Sequence, residues 1–227
     1  MVLLKFKIIK NEDLNLKVEF EGFPLVYVNA LRRFAMNEVP VMAIDDVVVI
    51  ENTSALYDEL ISHRLGLVPL KTDLESFVLP ELCKCESDLG CVNCRVLLVL
   101  DIEAEDKPLT VYSGDLVSDG EIVKPTSINI PILKLGPKQK IKLEAYAKLG
   151  QGKNHAKWIP TCASVLTEVD KDKDKYELTI ESVGSLTSKE IFSRCITILE
   201  EKLKTFKSEI KELKIKWKYM TIIDIIF

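Results

Sequence analysis

The stretch Gly22-Phe-Pro-Leu-Val-Tyr-Val-Asn-Ala-Leu-Arg-Arg-Phe-Ala-Met-Asn-Glu-Val-Pro40 carries apolar side chains at Leu25, Val28, Leu31, Ala35 and Val39. Steps of three and four residues trace one face of an α-helix. Pro24 suits the first helical turn, where a missing N–H costs nothing, and Pro40 lies beyond the end. Asn29, Arg32 and Arg33 fall on the polar side of this helix. Upstream, Leu4, Phe6 and Ile8 alternate with lysines, a polar turn spans Lys10 to Asp13, and Leu14, Leu16, Val18 and Phe20 alternate again. That pattern predicts a β-hairpin. Downstream, a strand is expected from Val41 to Ile50, and past Asn52-Thr-Ser54 a short helix from Ala55 to Leu65 that stops at Gly66.

From about Leu67 to Gly150 the pattern turns strand-rich. Strands are expected at Arg95 to Ala104, at Ile128 to Leu133 and over the alternating Ile141, Leu143, Ala145, Ala147 and Leu149, with a turn near Ser113-Gly114. This middle reads as a separate β-rich unit. Trp158 to Glu168 and Tyr176 to Ser182 follow as strands joined by the Lys/Asp run 170–175, read as a solvated hairpin tip. A last helix is announced by a capping box, Thr187 with Glu190, and a hydrophobic staple, Leu186 with Ile191. Along it Phe192, Ile196, Leu199, Leu203, Phe206, Ile210, Leu213 and Trp217 recur in alternating steps of four and three, a 3.5-residue period. Such a seam packs on its own sheet or meets another chain.

At 227 residues the chain suits one large domain or two small ones. With 47% hydrophobic and 29% charged residues, it has material for a core and is neither disordered nor a disulfide-stapled miniprotein. The 31 basic against 35 acidic side chains leave a net charge of -4, without the basic excess of a free-standing duplex binder. The longest uncharged runs, such as Gly22 to Leu31, fall well short of the ~20 residues that cross a bilayer, so no membrane span is expected. The first residues read as a strand and not as a signal peptide. A cytoplasmic protein with reduced cysteines is the expectation.

Four of the six cysteines crowd together as Cys83-Lys-Cys85 and Cys91-Val-Asn-Cys94. Two close-spaced pairs can give one zinc ion four thiolates, which would leave no coordination position for a reactive water. Free or redox-active thiols and an iron-sulfur cluster are the other readings of the same residues. Cys162 and Cys195 lie in apolar surroundings and read as buried core residues. His63 and His155 have no serine, cysteine or carboxylate arranged for a triad. Gly150-Gln-Gly152-Lys153 lacks the spacing of a phosphate loop, and the Asp45-Asp46 pair alternates sides on a strand. No catalytic constellation emerges, and the residues describe an interaction protein.

Longer motifs add a resemblance. Asn29 to Pro40, Ala43-Ile-Asp-Asp46, Ile50-Glu-Asn52, Asp58-Glu-Leu-Ile-Ser-His-Arg-Leu-Gly-Leu-Val-Pro-Leu70, Gly150-Gln-Gly-Lys-Asn-His-Ala-Lys-Trp-Ile-Pro160 and Glu181-Ser-Val-Gly-Ser185 occur in order. Together they resemble the α-like assembly subunits of multisubunit DNA-directed RNA polymerases, the archaeal D-type branch first and the third-largest subunit of eukaryotic RNA polymerase II next. The resemblance runs nearly end to end.

It implies an α+β fold in which an α-type dimerisation domain, residues 1–42 and 156–227, is formed by both chain ends and interrupted by a β-rich insert domain, residues 43–155, carrying the four-cysteine loop 83–94. It implies a noncatalytic scaffold that dimerises with the small α-like subunit L, through the stripe Phe192 to Leu213, and supports the two large catalytic subunits with subunits N and P. Asn29, Arg32 and Arg33 would reach a large subunit, with a solvated or internally paired helix face as the other reading of the arginines. His63 and His155 would hold the insert or a subunit interface. DNA and RNA would be met only through the complex. Cys83, Cys85, Cys91 and Cys94 occupy the place of a zinc-type motif in the family, with a longer middle gap than some relatives carry. Some archaeal members insert a cysteine-rich domain with iron-sulfur clusters where this chain has only the turn 169–175, so no cluster is expected. The rival from another class is a stand-alone zinc-dependent nucleic-acid-binding protein, and thiol redox chemistry at Cys91 and Cys94 is a third. The apolar end, residues 219–227, is assigned to neither a strand nor an interface.

Overall fold

The computed structural model describes residues 4–85, 87, 90–118, 123–170 and 174–212. In chain order these form β1 (Lys5–Asn11), β2 (Asn15–Glu21), α1 (Leu25–Asn37), β3 (Pro40–Asn52), α2 (Asp58–Gly66), β4 (Arg95–Glu103), β5 (Leu109–Tyr112) and β6 (Val117–Ser118). Then come β7 (Pro131–Leu135), β8 (Lys140–Gln151), β9 (Thr161–Asp170), β10 (Lys175–Ser182) and α3 (Ser188–Glu212). One antiparallel sheet, ordered β1-β2-β10-β9, is built from both ends of the chain. A second, ordered β3-β8-β4-β6, and the pair β5-β7 are built from the middle. The fold is α+β.

Each unit has its own core. Leu16, Val18, Phe20, Leu178 and Ile180 from the first sheet pack with Val28, Leu31 and Ala35 of α1 and with Ile191 and Cys195 of α3. Leu98, Leu100, Ile141, Leu143 and Ala145 of the second sheet pack with Ile61 and Leu65 of α2 and Leu133 of β7. Strand β3 serves both. Successive side chains leave a strand on opposite faces, so Val41 and Ala43 enter the first core while Met42 and Ile44 enter the second.

The final helix starts where its local chemistry places it. The Thr187 N–H donates to Glu190 Oε2 at 2.8 Å, and the Glu190 N–H donates back to Thr187 Oγ1 at 3.2 Å. Leu186 and Ile191 are both buried beside this cap. Helix α2, by contrast, begins at Asp58 and not at Ala55. Asn52 and Ser54 divert the backbone: Asn52 accepts from the Ser54 N–H at 2.9 Å and donates to the Leu56 carbonyl at 2.9 Å. Side chains that satisfy local backbone groups in this way compete with the helix. Gly66 is the last helical residue and has no positive φ, so it is not a left-handed stop.

Strand β7 lies later than the expected Ile128 to Leu133. The backbone of 127–130 is engaged elsewhere, since Ser113 N–H donates to the Ile130 carbonyl at 2.8 Å and Gly114 N–H to the Ile128 carbonyl at 3.0 Å. Strand β9 likewise starts at Thr161, because Ala156–Trp158 form a 3-10 turn whose first N–H groups are met by His155, with Nδ1 accepting from the Lys157 N–H at 3.1 Å. Cys162 is a correction. It is exposed on β9, an outer strand of its sheet, with Sγ 3.4 Å from the Glu181 carbonyl oxygen. Cys195 is fully buried as expected, and burial pushes its thiol up to about 12.

Candidate assembly surface and metal centre

The four clustered cysteines meet in space. Cys83 and Cys85 follow a short 3-10 turn at Pro80–Leu82, and Cys91 and Cys94 close a tight turn in which the Cys94 and Arg95 N–H groups both donate to the Cys91 carbonyl, at 3.0 and 2.9 Å. The Cys91 N–H points at Cys94 Sγ, 3.2 Å away. Gly90 enters this turn with φ +79, and a Cβ there would lie 3.2 Å from Cys94 Sγ, so both conformation and space select glycine. Residues 86, 88 and 89 of the loop lie outside the described residues.

Sulfur separations are 3.6 Å for Cys83 and Cys91, 3.7 Å for Cys85 and Cys94 and 3.8 Å for Cys91 and Cys94, and all four lie within 4.8 Å of one another. A tetrahedron with metal–sulfur bonds of about 2.3 Å has edges of about 3.8 Å. The four thiols are therefore spaced to share one metal ion. Their acidities already diverge: neighbouring thiols, Cys83 foremost, push Cys85 up to about 12, while the Asn93 N–H pulls Cys91 down to about 7. Four thiolates this close need a cation between them.

The second feature is apolar. Helix α3 turns Ser188, Ile191 and Cys195 fully into the core, and the stripe Phe192, Ile196, Leu199 lies one residue further round. Those three side chains, with Phe20, Phe23, Val28 and Leu31, Leu4 and Phe6 of the hairpin, and Val26 and Tyr27 of α1, line a groove of about 610 Å³. Phe6 is 61% exposed and Ile196 46% exposed. Leu203, Phe206 and Ile210 continue the stripe along α3, with Phe206 half exposed and the other two partly exposed. Leu213, Trp217 and the end 219–227 lie outside the described residues.

Asn29 and Arg32 sit on the opposite side of α1, joined by Arg32 Nε donating to Asn29 Oδ1 at 2.9 Å. Both line a shallow depression with Leu25 and with Ser164, Val165 and Leu166 of β9. Arg33 is exposed. His63 is exposed on α2, next to Arg64, whose guanidinium donates to the Pro131 carbonyl at 2.9 Å.

Two ionic clusters tie the units together, and the sequence pattern did not announce them. Asp45 pairs with Lys148 and Lys157 at once. Lys157 also lies 4.4 Å from the centroid of the Trp158 ring. Glu38, just past α1, pairs with Lys202 of α3 at 2.7 Å and with Lys153 after β8 at 3.3 Å. Partial burial raises both carboxyls, but the two lysines at each outweigh it and leave them below their ordinary values of 4.5 for Glu38 and 3.8 for Asp45. A carboxyl lowered by folding contributes stability above its ordinary value, and that contribution disappears as pH falls through the folded value. Glu38→Gln and Asp45→Asn are thus each expected to lower the urea midpoint at neutral pH. The gap to wild type should narrow between about pH 5 and pH 3; a pH-independent gap would contradict the linkage.

Gly150 and Gly152 also have structural work that their spacing did not disclose. The Trp158 indole lies across Gly150, where a Cβ would fall 2.3 Å from the ring, and its Nε1 donates to the Lys148 carbonyl at 3.2 Å. At Gly152 a Cβ would fall 2.1 Å from the Met36 carbonyl oxygen at the end of α1.

Residues 42–165 match the family model described as the RNA polymerase Rpb3/RpoA insert domain. The chain is 50% identical over 159 residues to DNA-directed RNA polymerase subunit Rpo3 of Pyrobaculum neutrophilum, covering 70% of this chain and 60% of that relative. It is 41% identical over 168 residues to the subunit of the same name from Methanosphaera stadtmanae, covering 73% and 60%. For Thermococcus kodakarensis the identity is 43% over 174 residues, covering 76% and 63%. The chain spans about 60% of the length of the curated relatives it matches.

Proposed function

Because this chain belongs to the Rpb3/RpoA family of RNA polymerase subunits, we propose that it is a noncatalytic assembly subunit of a multisubunit DNA-directed RNA polymerase, of the archaeal D type. In this reading the groove beside α3 receives the small α-like subunit L. The resulting pair is the platform on which the two large catalytic subunits assemble, together with subunits N and P. Asn29, Arg32 and Arg33 face a large subunit, and nucleic acid is met only through the complex. Residues 1–42 and 156–227 make the dimerisation domain, and 43–155 make the insert. The separate cores of the two sheets support that division.

The observation that carries the proposal is the apolar groove, continuous with a partly exposed stripe of α3 whose Phe192 and Leu199 also touch the first core and whose Ile196 and Phe206 are exposed. A monomeric protein rarely leaves such a surface to water, whereas an assembly subunit needs it. Cys83, Cys85, Cys91 and Cys94 hold a structural zinc ion, whose contribution when bound is a rigid cross-link in a loop with few apolar side chains. Among the described residues no helix is long and apolar enough to cross a membrane.

Co-expression tests the reading. The chain is expected to aggregate when made alone, and to purify as a soluble one-to-one complex when made with the small α-like subunit of the same genome. A monodisperse monomer with no affinity for that subunit would defeat the proposal.

A further inference from the structure

We infer that Arg95 is a positioning residue that seats the four-cysteine loop on the β3-β8-β4 sheet and thereby governs how tightly the metal is held. The inference rests on the reading that these four thiols bind zinc. Arg95 immediately follows the last cysteine and opens β4, so its backbone belongs at once to the Cys91–Cys94 turn and to the sheet. Its guanidinium lies 3.9 Å from the centroid of the Tyr146 ring and donates to Asp46 Oδ2 at 3.2 Å. Asp46 and Tyr146 are direct partners across the β3–β8 ladder, so both anchors stand on paired strands of one rigid sheet. On the loop side, the Arg95 stem passes Gly90: a Cβ at that glycine would lie 3.2 Å from Arg95 Cβ and 3.5 Å from its Cδ.

The side chain is thus gripped between the loop and the sheet. Only 18% of it is exposed, while its partner Asp46 is 59% exposed, so the stem and the stack on Tyr146 are held away from solvent and the ion pair lies at the surface. A planar cation fits this place because it stacks on an aromatic face and donates to a carboxylate in the same plane, which a lysine ammonium does less well. Among the described residues of the loop, the large apolar side chains give little anchorage: Val92 is 85% exposed and Leu82 is 72% exposed. Orientation of its cysteines draws on hydrogen bonds within the turn, on the Val78 N–H donating to the Asn93 carbonyl at 3.0 Å, and on Arg95. Groups that orient metal ligands from one step away commonly change metal affinity by about 10- to 100-fold when removed.

The test uses the full chain in its complex with the small α-like subunit and follows zinc transfer to the chromophoric chelator 4-(2-pyridylazo)resorcinol. Arg95→Ala should release zinc about 10-fold faster or more. Arg95→Lys should fall between it and wild type, and Asp46→Asn should produce a smaller acceleration. Lys142→Ala, which removes an exposed pair with Asp101 on the same sheet face, should leave release at the wild-type rate. If Arg95→Ala does not fold, Tyr146→Leu and Asp46→Asn carry the comparison, and both should accelerate release. Wild-type release from Arg95→Ala, or equal acceleration by Lys142→Ala, would overturn the inference. A complex whose zinc content is the same with and without Cys91→Ser/Cys94→Ser would instead overturn the metal assignment on which it rests.

Discussion

Gly150→Ala is expected to destabilise the protein by about 3 kcal/mol, because overpacking a close-fitted core forces both side chain and backbone to move. The added methyl would lie 2.3 to 2.8 Å from three atoms of the Trp158 ring. That ring cannot swing aside freely. It is buried, packed in the core of the first sheet, and fixed by its Nε1 bond to the Lys148 carbonyl. Trp158→Ala alone should cost about 3–5 kcal/mol, the usual range for deleting a large buried aromatic side chain. The informative measurement is the pair: with the indole gone, Gly150→Ala should add almost nothing. Chemical unfolding of the four proteins gives the coupling directly. Additive costs would show that the indole is not what constrains Gly150.

If the proposed pairing holds, Ile196→Asp is expected to weaken capture of the small α-like subunit by about a thousandfold, which corresponds to about 4 kcal/mol. A carboxylate that is solvated in the free chain would be buried without a partner in an apolar contact, and its desolvation is of that order. Because Ile196 is 46% exposed, the free chain should barely register the change. Glu201→Ala, exposed on the same helix, is the control and should capture normally. Titration of labelled partner against each variant separates the cases. Undiminished capture by Ile196→Asp would remove the α3 stripe from the interface.

The most legible parts of the fold were those whose information is local. Thr187 and Glu190 satisfy each other across one helical turn, so the start of α3 could be read without knowing what the helix packs against. The alternation from Ile141 to Leu149 likewise records one buried face of β8. Spacing also grouped the four cysteines, since their separation along the chain leaves short tethers. What sequence pattern missed depends on distant partners. Cys162 has apolar neighbours in sequence, but β9 is an outer strand and leaves it exposed. Asp45 gains its role from Lys148 and Lys157, more than a hundred residues away, and nothing around Gly150 or Gly152 announces Trp158 or the end of α1. The short strands β5 and β6 escaped because four and two residues are too few to display a period.

The pairing of Pro40 with Gln151 and of Val41 with Gly150 closes the whole excursion through the second sheet at a single neck. The first sheet is nested outside that neck: β2 waits for β10, and Asn15 finds Glu181 across a separation of 166 residues. Closing so long a loop from an open chain carries a large entropic penalty, but the penalty shrinks once the intervening segment has zipped and its ends lie side by side. The expected order of events is therefore from the middle outward, with the β1-β2 hairpin among the last elements to find its place. Until β10 and α3 are made, β2 lacks one pairing edge, and its buried face, with Leu16, Val18 and Phe20, lacks the cover of Ile191 and Cys195. The surface proposed for assembly cannot exist before α3 is made, which places partner capture after β2 and β10 have paired.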